Sequence, residues 1–270
     1  RRAEASVRLC RRATEIDPNY AHAWALMALG QMLVRFLTGG QGDDGLVAAE
    51  RALALDTNLA EAHAVKARIL SEGGRHDDAS AEIEVALRLD PESYEVNRAA
   101  AYLRFRQKRL HESILHFEKA LALMETDVSS ANMLMTCYLA VRDGEAAHPA
   151  AQITLDRAQK TLAQDPSNGA AMGFCCYALA LLGQAESAKG WMSRALLIDP
   201  DNINMRYNFA CALTTHLQDV DGAIELLGLL LEKISIGLLN HAKADPDLAP
   251  LRTSGRTRYE KTTREERHGQ

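Results

Sequence analysis

Long apolar runs are missing from this 270-residue chain. No stretch of about 18 apolar residues occurs, so no helical membrane span is expected. The most apolar region, Ile224 to Leu239, is broken by Glu225, Glu232 and Lys233. A basic excess is missing as well: the formal net charge is −5 and the isoelectric point is near 6.0. That balance gives no electrostatic footprint for nucleic acid. Cysteine is sparse, and Cys10, Cys137, Cys175, Cys176 and Cys211 show no CxxC spacing. An odd count without that spacing argues against both a disulfide framework and a zinc site. Cys175, Cys176 and Cys211 fall in helical patterns, and free buried thiols fit a reducing cytoplasm. The chain opens Arg1-Arg2-Ala3-Glu4, with no Met and no leader-like apolar segment. It enters in mid-helix, so a piece of a longer protein, or an inexact start, is expected.

Signs of chemistry are equally scarce. The run Gly39-Gly40-Gln41-Gly42 lacks the following Lys-Ser/Thr of a phosphate loop and follows no strand pattern, so it is expected to be a connector. No nucleophile-elbow spacing appears. His111 and His116 are five residues apart, which on a helix aims them about 140° from one another and makes no chelate. The other histidines (His22, His63, His76, His148, His216, His241, His268) are scattered, and surface or packing roles are expected for them. No metal ligand, no cofactor and no catalytic residue is therefore assigned.

What the chain has is repetition. Ala86-Leu87-Arg88-Leu89-Asp90-Pro91 returns as Ala195-Leu196-Leu197-Ile198-Asp199-Pro200, with weaker copies ending at Asp17-Pro18, Asp56-Thr57, Met124-Glu125 and Asp165-Pro166. From Asp17 the intervals are 39, 34, 34, 41 and 34 residues. A period of about 34 with two helices per unit marks a helical solenoid, in which each unit buries its apolar face only by stacking on its neighbours. Within the unit ending at Pro91, small residues fall at Ala67, Ala79 and Ala86, with bulky ones at Leu70 and Ile83. Antiparallel helices approach to about 8–10 Å only where contact residues are small. Gly73-Gly74 supplies the turn, and Pro91 ends the second helix. The unit ending at Pro200 repeats this with Cys176, Ala188, Ala195, Leu179 and Met192, around a turn at Gly183-Gln184. The unit ending near Glu125 keeps Ala101, Phe117 and Ala120. Two units are long, with extra residues at Thr38 to Asp43 and Asp143 to Pro149. Both insertions are expected to be loop growth at the turn inside a hairpin, where added length costs little. The methionines Met27, Met32, Met124, Met133, Met135, Met172, Met192 and Met205 are expected to fill the core for the most part.

This pattern, with Trp24 at the fourth position of the first complete unit, resembles tetratricopeptide repeats. The resemblance implies an all-α solenoid of about six to seven helical hairpins in a right-handed superhelix. One continuous array is expected over residues 1–252, with a partial first repeat and a terminal repeat at 203–252. Residues 253–270 are nearly free of apolar side chains and are expected to form a disordered or weakly ordered tail. The closing phrases, Asn204 to Leu213 and Asp245-Pro246-Asp247-Leu248-Ala249-Pro250-Leu251-Arg252, resemble the terminal repeat region of bacterial class III adenylate or guanylate cyclases. Similar arrays follow winged-helix transcription regulators. Those families continue with an acidic Asp-Asp-Pro-Arg-Phe-like phrase, where this chain has Thr253-Ser254-Gly255-Arg256. No cyclase catalytic sequence lies in these residues, so the resemblance implies a non-catalytic interaction or regulatory module. A repeat-bearing transferase is the weaker alternative, because no residues remain for a second, catalytic fold.

In such arrays the first helix of each pair lines a concave face. Applied here, that rule selects Arg68, Glu95, Arg98, Tyr102, Phe105, Arg106, Asn132, Thr136, Tyr177, Asn204 and Tyr207, with Thr214 beside them. Arginine pairs with carboxylates in a fork, and tyrosine offers flat area at small entropic cost. A peptide or protein segment is the expected partner in this groove. The Lys and Asn of a chaperone-type carboxylate clamp are not at their positions, where Arg98 and Tyr102, or Ala64 and Arg68, stand instead. At the N-terminus, Arg1 to Ile16 forms only the second helix of a hairpin, so pairing between chains, or contact with a missing domain, is expected there.

Overall fold

The computed structural model describes residues 2–37, 42–231 and 236–253. Every regular element among them is helical. In order these are α1 (Arg2–Ile16), α2 (Ala21–Leu37), α3 (Leu46–Leu55), α4 (Ala60–Glu72), α5 (His76–Leu89), α6 (Tyr94–Arg106) and α7 (Leu110–Leu123). Then follow α8 (Val128–Ala140), α9 (Gly144–Gln164), α10 (Gly169–Leu181), α11 (Ala185–Ile198), α12 (Ile203–Thr215), α13 (Val220–Leu231) and α14 (Ile236–Ala244). A 3-10 turn at Pro246–Leu248 leads into α15 (Ala249–Thr253). The expected all-α array of hairpins is present: α2/α3 through α12/α13 make six pairs, preceded by the lone α1.

The recurring Asp has a local job. Asp17, Asp56, Asp90 and Asp165 each accept, on a side-chain oxygen, the backbone N–H two residues on. This turn carries the chain from one hairpin into the next. Inside the hairpins a second period appears. Gly74, Lys108, Arg142, Gly183 and Gln218 all have positive φ, at intervals of 34, 34, 41 and 35 residues. The residue after each of the first four donates its N–H five residues back, as Arg75 does to the Leu70 carbonyl and Arg109 to that of Arg104, while Asp219 reaches six back, to Leu213. This is the left-handed close of a helix, which favours glycine. Only two of the five positions have it.

The small residues lie where the repeat pattern put them. Ala67, Ala79, Ala86, Ala101, Ala120, Cys176, Ala188 and Ala195 are buried, with Ile83 and Phe117 fully enclosed beside them. A side chain at Gly173 would come within 3.1 Å of the Met205 backbone and 3.2 Å of Asn208, so α10 and α12 approach closely there. Met27, Met32, Met133, Met135, Met172 and Met205 are buried, while Met124 is exposed.

The insertion at Asp143 to Pro149 is corrected. It is not loop growth: α9 runs for 21 residues, with Pro149 inside it. The Asp143 side chain accepts the N–H of Ala146, and Ala147, Ala150 and Ala151 are buried. Capping and an alanine-rich buried stripe therefore extend the helix through Pro149, which lies past the first turn and gives up one hydrogen bond of the ladder. Of the other insertion, Thr38 to Gln41 lie outside the described residues, as does the tail beyond Thr253.

Two compact units are distinguished. The first holds α1–α7 and α14. The second holds α8–α13, the 3-10 turn and α15. Within each, the first helices of successive hairpins pack side by side: α2, α4 and α6 in the first, α8, α10 and α12 in the second.

Candidate interaction faces

In the first unit, α4 presents Arg68 and α6 presents Glu95, Arg98, Tyr102, Phe105 and Arg106. Tyr102 anchors them. Its ring meets Phe117 edge-on at 5.2 Å between centroids. The Arg68 guanidinium lies 5.6 Å, and that of Arg98 5.4 Å, from its centroid, within cation–π range. Burial, and then the like charge of Arg98, push Arg68 down to about 10, against the pull of Glu72 and Glu95. The buried Nη1 of Arg68 has no hydrogen-bond acceptor among the described residues. Arg106 is more settled: it donates to Ser71 Oγ at 3.2 Å and pairs with Glu72 at 3.3 Å.

Phe105 is fully buried. Its ring lies 5.2 Å from that of His241 on α14, a helix that packs on α4 and α6. Desolvation, helped by the Arg106 charge, pushes His241 down to about 3. His241 thus packs against Phe105, on part of the first unit's face.

In the second unit the face is again taken by the chain itself. Asp245 and Asp247 are buried. The Tyr177 hydroxyl on α10 donates to Asp247 Oδ2, and Thr136 on α8 donates to the same oxygen at 3.4 Å. Tyr207 on α12 donates to Asp245 Oδ2 at 2.5 Å. Asp245 Oδ1 accepts the backbone N–H of Asp247 at 2.9 Å, which caps the 3-10 turn. Leu248 and Leu251 are buried next to these carboxylates. Burial, and then the charge of Asp245, hold Asp247 well above the usual carboxylate range. Burial and the neighbouring carboxylates likewise raise Tyr177 and Tyr207. His216 stacks at 5.6 Å from Tyr177 and is lowered to about 4 by burial.

The remaining selected residues divide. Asn132 is buried, with its Oδ1 lacking a hydrogen-bond partner among the described residues. Thr214 donates back to the Ala210 carbonyl. The Asn204 side chain lies outside the described residues. The second unit's selected residues stand on α8, α10 and α12, and the sequence reading of them did not foresee Asp245 and Asp247 as partners. The signal available was Asp245-Pro246-Asp247, an Asp-Pro phrase that comes after the repeats have ended.

Cys211, Asp245 and Asp247 bring one ligand atom each within 4.8 Å of one another, the one such group among the described residues. Each carboxylate is already engaged by a tyrosine, and the thiol points at Asp245 at 4.0 Å. The grouping is accounted for by hydrogen bonds. Cys137, Cys175, Cys176 and Cys211 are buried free thiols, with Cys175 and Cys176 pushed up to about 12 by desolvation. No described helix is long and apolar enough to cross a membrane.

No family model and no curated protein matches this chain. Solved structures do. The human IFIT1 dimer with m7Gppp-AAAA is similar at a TM-score of 0.63 and 16% identity, over 90% of this chain and 57% of that one. Cut9, in a hetero-tetramer of Cut9 and Hcn1, is similar at 0.58 and 15%, over 90% and 46%. PilF of Pseudomonas aeruginosa is similar at 0.50 and 19%, over 78% and 90%. The chain thus spans little more than half of the IFIT1 chain. At these identities the likeness is one of fold: an all-α array of helical hairpins of the tetratricopeptide type.

Proposed function

We propose that this chain is a non-catalytic protein-interaction module that takes an extended peptide across the first helices of its hairpins. One observation carries the reading: in both units these faces hold a segment from elsewhere in the chain, α14 on α4 and α6, and residues 245–251 on the second unit. A surface that selects backbone turns, tyrosine-bound carboxylates and leucines has the chemistry of a peptide receptor. In the first unit, Arg68, Arg98 and Tyr102 would take acidic side chains of the partner, and the net charge of −5 disfavours nucleic acid. The resemblance of the closing phrases supports a place in a longer cytoplasmic signalling protein of bacterial type, regulating or localising a nucleotide cyclase. The presence of a winged helix in the gene upstream would favour a transcription regulator instead. At the other end, Leu9 and Ile16 of α1 are each 73% exposed, which supports pairing between chains there; light scattering from a monomer at high concentration would remove that part.

The groove is tested by fluorescence anisotropy with acidic peptides. Arg98→Ala and Tyr102→Ala should each weaken binding by roughly tenfold or more, the loss of about 1.4 kcal/mol. Unchanged affinity in both would take the first unit's face out of the reading.

A further inference from the structure

We propose that Tyr177, Tyr207 and Thr136 form a receptor for a peptide of the type Asp-X-Asp-Leu, and that residues 245–248 occupy it in cis as a built-in competitor. The proposal rests on the interaction-module reading and names the ligand chemistry of its second face. The geometry points there in three ways. First, the recognition is by side chains in matched spacing. Hydroxyls on neighbouring helices α10 and α12 meet carboxylates two residues apart, and Thr136 on α8 adds a third donor. Second, the segment carries its own shape. The bond from the Asp247 N–H to Asp245 Oδ1, with Pro246 between, presets the turn and lowers the ordering penalty on docking. Third, the contact is an uneconomical way to close a domain. Two carboxylates are buried side by side, and the charge of Asp245 acts against that of Asp247. Apolar residues of similar size usually hold a permanent contact at least as well as buried charges do. Buried carboxylates fit a segment that can leave for water and be replaced by another of the same pattern. Leu248 and Leu251, both buried, supply the apolar anchors that give such a peptide affinity.

The cis segment has a high effective concentration, so an added peptide competes poorly until the segment is weakened. The test uses the full chain and a fluorescein-labelled peptide of its own sequence, Ala-Asp-Pro-Asp-Leu-Ala-Pro-Leu-Arg. Binding is compared between the wild type and Asp245→Ala/Asp247→Ala/Leu248→Ala. The variant should bind the peptide at least about tenfold more tightly than the wild type does. Replacing both Asp of the peptide by Ala, or adding Tyr177→Phe/Tyr207→Phe to the chain, should remove that gain. A variant with native helical circular dichroism and a cooperative melt that binds no better than wild type overturns the proposal. Equal binding of the Ala-substituted peptide does the same. Should the variant fail to fold, hydrogen exchange on the wild type decides. Millimolar peptide should speed exchange over residues 245–251; unchanged, slow exchange there overturns the proposal. Because the probe is the chain's own segment, a negative result leaves the first unit's titration with acidic peptides standing.

Discussion

The two units solve one problem with charge placed on different sides of the contact. Each stacks its first helices into a face, and each face is met by residues that follow the last hairpin. In the first unit the face is cationic: Arg68 and Arg98 crowd Tyr102, and α14 brings a histidine against Phe105. In the second it offers neutral hydroxyls, and the incoming segment brings the charge as Asp245 and Asp247. The lesson is that repeats which share a backbone plan need not share a ligand chemistry. The plan fixes where side chains stand, and a few non-repeating residues decide what they meet.

The most damaging way to separate the units is to hollow one of them. Phe105 is fully buried and also carries the contact to His241. Phe105→Ala should lower the unfolding free energy by about 3–5 kcal/mol, read by urea denaturation. It should also loosen α14, seen as faster hydrogen exchange over residues 239–244, while residues 245–251 keep wild-type rates. Equal loosening of both segments would show that they do not dock independently.

Acidity sharpens the contrast. The His241 imidazole is neutral in both states above about pH 6.5. As pH falls from there towards about 3, the unfolded chain takes up a proton that the folded chain refuses, so stability drops by a few kcal/mol. His216, lowered to about 4, contributes to the same acid limb. Asp247 runs the other way. Its folded value is raised, so its contribution is complete below the ordinary carboxylate value and is lost as pH rises through the raised one. His241→Phe should therefore flatten the acid limb of a stability–pH profile, and Asp247→Asn should flatten the fall that sets in as pH rises above the ordinary carboxylate value. An Asp247→Asn profile parallel to wild type over that fall would contradict the raised titration of Asp247, which burial and then the Asp245 charge impose.

The smallest effect belongs to the turns. Lys108 holds φ at 61°, a conformation that disfavours any side chain. Lys108→Gly should stabilise the first unit by about 1 kcal/mol, and Arg142→Gly should do likewise in the second. No gain at either site would mean that the side chains offset the strain by contacts of their own.

Much of this architecture was legible beforehand. The Asp phrase at near-34 spacing located most hairpin boundaries, because an Asp side chain that closes a turn leaves a fixed mark in the sequence; the boundary at Met124-Glu125 lacks the Asp and was marked by spacing alone. The alanine ladder located the helix contacts, because close packing admits little else. The left-handed turn residues were legible only at Gly74 and Gly183, since Lys108, Arg142 and Gln218 adopt the same angle without the usual residue. The length of α9 was misread, because Gly144 and Pro149 suggest a loop while Asp143 and the buried alanines around them build a helix.

For the candidate site the balance reverses. Local sequence predicts that Arg68 and Tyr102 in the first unit, and Thr136, Tyr177 and Tyr207 in the second, stand on the first helices of their hairpins, because helix period sets side-chain direction. Only the tertiary structure decided that Tyr177 and Tyr207 meet Asp247 and Asp245, 70 and 38 residues further along the chain, and that Phe105 meets His241. Those contacts depend on where the chain travels after its last hairpin. No periodicity encodes that path, because it is fixed by the free energy of burying one particular segment on one particular face.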